Sequence, residues 1–134
     1  MTTLPAPHHS AQRRRLASPW KGLWLMAVAV VHTIFAAVVF EPQLREIARR
    51  GVFNSVGTDP MAGAVAWFVL FGGVFALLGW AILRIERSAA PDPVSLRGLG
   101  VGLLALTLLG IVLMPSSGFW LVLPPALALC WSPR

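Results

Sequence analysis

The sequence predicts an all-α fold: a four-helix transmembrane bundle with a short amphipathic helix between the first and second spans. Three observations carry that expectation. The chain of 134 residues is 57% hydrophobic and only 12% charged, with a mean hydropathy of +0.74; soluble domains run at roughly 45–50% apolar and about 25% charged. Four apolar stretches recur at or near bilayer length, about 20 residues at 1.5 Å rise covering the ~30 Å hydrocarbon core. The basic residues stand mostly at the ends of those stretches, where they anchor helices to lipid headgroups. That placement excludes nucleic acid as a partner for the net charge of +6.

Residues 1–19 form a polar, proline-bearing, basic segment, expected to be a disordered cytoplasmic tail. Residues 20–134 are expected to be a single membrane domain. Arg13, Arg14 and Arg15 precede an apolar run longer than the roughly 7–15 residues of a cleaved signal, so that run reads as a first span, about 20–40. His8 and His9 are adjacent but lack further ligands for a metal. Within the first span, Lys21 stands at the rim and His32 near the middle. Ala29, Thr33 and Ala37 recur at four-residue spacing, and Ala36 lies four residues after His32. Small residues on one stripe predict close approach of a second helix. An ionisable residue at this depth is a functional candidate by default. The alternative is a neutral imidazole bonded to a carbonyl or hydroxyl of a neighbouring helix.

Residues 41–60 leave the membrane. Pro42 suits a first helical turn, Leu44, Ile47 and Ala48 share a face, and Gly51 offers a left-handed stop. Glu41 with Arg45 and Glu46 with Arg50 are favourably ordered pairs, predicting a short surface helix with a solvated charged face. Asp59 and Pro60 signal the start of the next helix. The second span, about 61–85, ends in Arg84 and Arg87, and Gly72, Ala76 and Gly79 make a small-residue seam. Trp67, Phe68, Phe71 and Phe75 surround it, suiting either packing or a pocket for a flat apolar ligand such as a quinone.

A loop over 88–96, with Ser95 as cap, leads to a third span at about 97–114. Gly98, Gly100 and Gly102 lack the strand–turn–helix setting of a phosphate loop. Gly98 and Gly102 instead predict a close helix contact. Pro115 to Gly118 is a tight turn that makes the third and fourth spans an antiparallel hairpin. The fourth span, about 118–132, carries Pro124 and Pro125 near its middle, a candidate kink that frees backbone carbonyls. Cys130, the sole cysteine, is expected to be a small buried hydrophobe.

Counting basic residues, Arg13, Arg14, Arg15, Lys21, Arg84, Arg87, Arg97 and Arg134 fall on one side and Arg45, Arg49 and Arg50 on the other. The split places both termini in the cytoplasm. The candidate polar site is His32, Thr33 and Glu41. The sequence shows no carboxylate pair within the membrane, no nucleophile–base arrangement, no metal-ligand cluster and no cofactor motif. The expectation is therefore a non-catalytic interaction or accessory component without cofactor. Its partners would be the lipid bilayer and a second copy or another membrane protein. The alternatives are a small-ligand carrier using His32, and an enzyme or haem protein, the haem held by His32 with Met114, Met26 or a second chain as the other axial ligand.

The order VVHTIF, LREIARRGVFNSVG, AWFVLFGG…LLGW and GIVLMPSSGFWLVLPPALAL resembles a family of small four-helix bacterial membrane proteins defined as a domain of unknown function, over about residues 20–131. The MPSSGFWLVLPP segment and His32 are the most specific parts. A looser likeness links it to small four-helix DoxX-like membrane proteins. The resemblance implies four transmembrane helices and a bacterial inner membrane. It implies no activity, ligand or catalytic residue.

Overall fold

A computed structural model of the chain describes residues 19–51, 53–88 and 92–131. Five helices follow in order: α1 Trp20–Val39, α2 Glu41–Arg49, α3 Pro60–Glu86, α4 Pro93–Leu113 and α5 Leu123–Cys130, with a single 3-10 turn at Gly118–Leu121 before the last. No strand occurs among the described residues. Three helices, α1, α3 and α4, are long and apolar enough to cross a membrane. The predicted tail lies outside the described residues apart from Pro19.

Local signals place most of the boundaries. Asp59 accepts from the Met61 amide at 2.9 Å and the Ala62 amide at 3.3 Å, and Pro60 opens α3 without forfeiting a ladder bond. α2 ends at Gly51, whose φ of +83° suits a residue without Cβ. Both predicted pairs form on its surface, Glu41 with Arg45 and Glu46 with Arg50. α4 begins four residues earlier than the sequence suggested. Asp92, not Ser95, is its cap: the Asp92 carboxylate takes the Val94 amide at 3.0 Å and the Ser95 hydroxyl.

The helices bury many of their small residues and expose many large ones. Gly22, Ala29, Ala36, Gly72, Gly79, Gly100 and Gly110 are buried, while Val38, Leu77 and Val112 are 72%, 68% and 78% exposed. Water would not stabilise such a surface, whereas hydrocarbon costs it nothing. α1 and α3 run antiparallel in close contact, and a Cβ on Gly22 would stand 2.5 Å from the Leu83 backbone nitrogen. On α1 the buried small residues are Gly22, Ala29 and Ala36; Thr33 and Ala37 lie at the exposed edge, so the stripe toward α3 is narrower than the four-residue spacing suggested.

The second close pair is α4 with the returning segment. The predicted contact at Gly98 and Gly102 is not there, since both glycines face open space. Gly100 meets Leu129 and Cys130 instead, and Gly110 meets the Phe119 ring. The two pairs join in one core of Leu25, Val28, Ile82, Leu96, Leu103, Val122, Ala126 and Leu129. Every core residue from α1 belongs to its first half, and Ile82 of α3 to its last two turns. The hairpin of α4 and α5 is thus set toward the end where α1 begins and α3 finishes. Trp24 confirms the offset, donating from Nε1 to the Leu121 carbonyl at 2.8 Å.

This arrangement corrects the fourth segment. The predicted span at 118–132 is a 3-10 turn followed by an eight-residue helix that rises only about 12 Å. Pro124 and Pro125 do not kink a spanning helix. They occupy the first turn of α5, where a missing N–H leaves no ladder bond unmade. The chain breaks before the prolines and restarts on them. The predicted hairpin turn does form, with Trp120 Nε1 donating to the Pro115 carbonyl at 2.8 Å.

Candidate functional site

His32 sits midway along α1 against the α3 turn at Phe68 to Gly72. Gly72 makes the approach possible: a Cβ there would lie 2.7 Å from Thr33 Oγ1 and 3.3 Å from His32 Cδ2. The imidazole Nε2 stands 2.8 Å from the Phe68 carbonyl oxygen. A carbonyl only accepts, so Nε2 is the donor in this contact. The Phe68 ring stacks on the imidazole at 4.1 Å and 15°, and Phe75 meets it edge-on at 5.9 Å and 74°. Phe40 and Phe35 extend the cluster around Phe68, at 5.2 and 6.1 Å. The hydrogen bond and the stacked ring tie α1 to α3 at this level, an interhelical clamp.

The three predicted site residues do not converge. Thr33 flanks Gly72 beside His32, but its hydroxyl donates to its own helix at Ala29, 2.9 Å away. Glu41 belongs to a solvent-facing pair with Arg45 on α2. Phe68 and Phe75 serve the histidine, and Trp67 and Phe71 are exposed, so the aromatic residues do not enclose a flat pocket. Met26 lies on α1 two turns before His32, and Met114 is 53% exposed beyond α4. With Nε2 committed to Phe68, these residues present no preassembled axial pair. Among the described residues no three His, Cys, Asp or Glu side chains gather as a metal site. Cys130 is half-buried.

A second polar group, absent from the sequence reading, lies at the start of α1. Glu86, in the last turn of α3, takes Lys21 Nζ at 3.0 Å and the Gly22 amide at 3.1 Å, with side-chain exposures of 12% for Lys21 and 4% for Glu86. Pro19 provides no side-chain cap for α1. The Glu86 carboxylate therefore caps α1 from another helix, where the dipole favours an anion. The pair joins residues 65 apart in sequence, a distance that no local pattern reads. The hint available was an acid between two arginines at a helix end.

Across the α1–α3 contact from the histidine runs an open apolar groove of about 340 Å³, lined by Met26, Val30, Thr33, Ile34, Gly73 and Ala76 among others. A smaller cavity of about 60 Å³ lies between α2 and α3 at Gln43, Glu46 and Asp59. It has the size of two water molecules.

An all-α chain with three helices of spanning length, a small-residue interior and an apolar exterior defines a class before it defines a protein. A family profile matches residues 16–134, and the chain belongs to that family, a family of unknown function (DUF6463). The match covers residues 20–131, which carry the resemblance, and extends a few residues beyond each end. No curated protein and no solved structure matches the chain.

Proposed function

We propose that the chain is an integral membrane protein of the bacterial inner membrane and a non-catalytic interaction or accessory component. In this reading α1, α3 and α4 cross the bilayer, and the 3-10 turn with α5 makes up the fourth, shorter segment of a four-helix bundle. Both termini lie on the cytoplasmic side, with Lys21, Arg84, Arg87 and Arg97 at that face. The observation that carries the functional part is His32. The ionisable side chain in the middle of α1 is spent on a backbone carbonyl and two aromatic rings, which supports a structural role over proton exchange with a cavity.

The carrier reading keeps one observation in its favour, the groove that reaches Thr33 beside His32. The variant His32→Leu separates the two. An accessory component keeps its partners while losing some stability; a carrier keeps its fold and loses a pH-dependent ligand signal. The membrane placement is tested first, by washing vesicles with alkaline carbonate. The protein should stay in the pellet, and release into the wash would end the proposal.

A further inference from the structure

The groove between α1 and α3 continues toward the end of α3. At 3.6 residues per turn, Gly73, Ala76, Trp80, Arg84 and Arg87 fall within an arc of about 80° on α3. The stripe changes character along its length: bare backbone at Gly73, a small side chain at Ala76, an exposed indole at Trp80, then two exposed guanidinium groups. Neither Arg84 nor Arg87 has an ion-pair partner among the described residues. The acids of that end are already engaged, Glu86 by Lys21 and Asp92 by Ser95. From Gly73 to Arg84 the helix rises about 16 Å, close to the roughly 15 Å of one hydrocarbon leaflet.

We propose that this stripe is a docking site for one anionic phospholipid, its acyl chain in the groove against Gly73 and Ala76 and its phosphate held by Arg84 and Arg87. The inference rests on the membrane placement proposed above. Charge selects the occupant. A second copy of the chain would bring the same two cations to the same level, whereas a lipid headgroup brings the anion they lack. Arginine suits the role because its planar fork binds phosphate through two hydrogen bonds. The indole of Trp80 belongs at the glycerol level between chain and headgroup.

The test uses the full chain purified in detergent and native mass spectrometry with added phosphatidylglycerol or phosphatidylcholine. Retention of one phosphatidylglycerol in preference to phosphatidylcholine is expected, with roughly a fivefold contribution from each arginine. The double variant Arg84→Gln/Arg87→Gln should lose that preference, about 25-fold in all, while still binding lipid without headgroup selection. Gly73→Leu fills the groove where a new Cβ meets nothing within 4 Å, so the fold survives and the adduct is lost. Equal retention of the two lipids, a preference untouched by the arginine variant, or a dimer mass that Gly73→Leu abolishes would each overturn the proposal. Failure of the membrane placement looks different, because the protein would then stay monodisperse without detergent.

Discussion

The two ends of the α1–α3 pair are built differently. Where α1 begins and α3 finishes, α4 and α5 join them around Leu25, Ile82 and Leu129, each wholly buried, and the Lys21–Glu86 pair closes that end. At the other end the same two helices stand with only α2 beside them, and their outward residues, Phe35, Val38 and Leu70 among them, are exposed. One end is held by a core and the other by a clamp, His32 on Phe68. The difference teaches where this chain keeps its stability. Disturbing the first end should unfold the protein, and disturbing the second should loosen two helices locally.

The largest effect is expected at Gly22. Its missing Cβ would fall 2.5 Å from the Leu83 nitrogen and 2.6 Å from the Gly79 carbonyl oxygen, and backbone cannot swing aside. Gly22→Leu should cost more than the roughly 3 kcal/mol usual for overpacking and leave little folded protein after detergent extraction. Gly102→Leu, facing open space on α4, should stay within about 0.5 kcal/mol of the parent in a thermal melt. Equal melting of the two variants would show that α1 and α3 do not touch as described.

Next comes Glu86→Ala, which strands a part-buried ammonium and uncaps α1. Breaking a buried pair from one side costs about 3–5 kcal/mol. The double variant Lys21→Met/Glu86→Leu should recover most of the loss, because two apolar side chains need no partners there. A double variant no better than the single would assign the whole effect to the lost cap at Gly22.

His32→Leu should cost less, roughly 1–2 kcal/mol, since interhelical hydrogen bonds in membranes and aromatic pairs each contribute on that scale. Hydrogen exchange sharpens the comparison. Protection should fall around Phe68 to Gly72 and Phe40, and stay unchanged around Ile82. A uniform loss along α3 would mean that the clamp supports the core after all.

The same contrast separates what the chain reveals on inspection from what only folding reveals. Helices of spanning length are legible because their period and length are local, and the cap at Asp59 is legible because it acts within three residues. The Gly72–Gly79 seam was readable for the same reason. His32 was readable as a candidate, while its contact with the Phe68 carbonyl depends on how α3 packs and was not. Glu86 was not, because its meaning depends on Lys21 reaching it from another helix. The prolines misled because a pair at 124–125 reads the same whether it bends a long helix or starts a short one. Their position relative to the turn at Gly118 decided it. Gly98 and Gly102 misled because small-residue spacing says that a helix can approach, not which of two overlapping faces it chooses. Gly100 faces α5 and Gly110 faces the 3-10 turn before it, and the tight contact is theirs.

The smallest predicted effect lies at the start of α4, at the core end of the molecule. The Ser95 hydroxyl foremost, then the Val94 amide, hold the Asp92 carboxyl below its ordinary value of 3.8. A carboxylate whose pKa is lower folded than unfolded adds stability above the unfolded value and loses it as pH falls through the folded one. The capping contribution should therefore be complete at neutral pH and fade only below about pH 4. Asp92→Asn keeps an acceptor of similar capping strength and should flatten that acid limb with little change at pH 7. Ser95→Ala should move the limb upward, toward the ordinary carboxylate range. Exchange of the Val94 to Leu96 amides, followed from pH 6 to pH 3 and divided by the rate of the unstructured chain at each pH, reads the effect. An acid limb that survives in Asp92→Asn would place the titrating group elsewhere and sink the assignment to this cap.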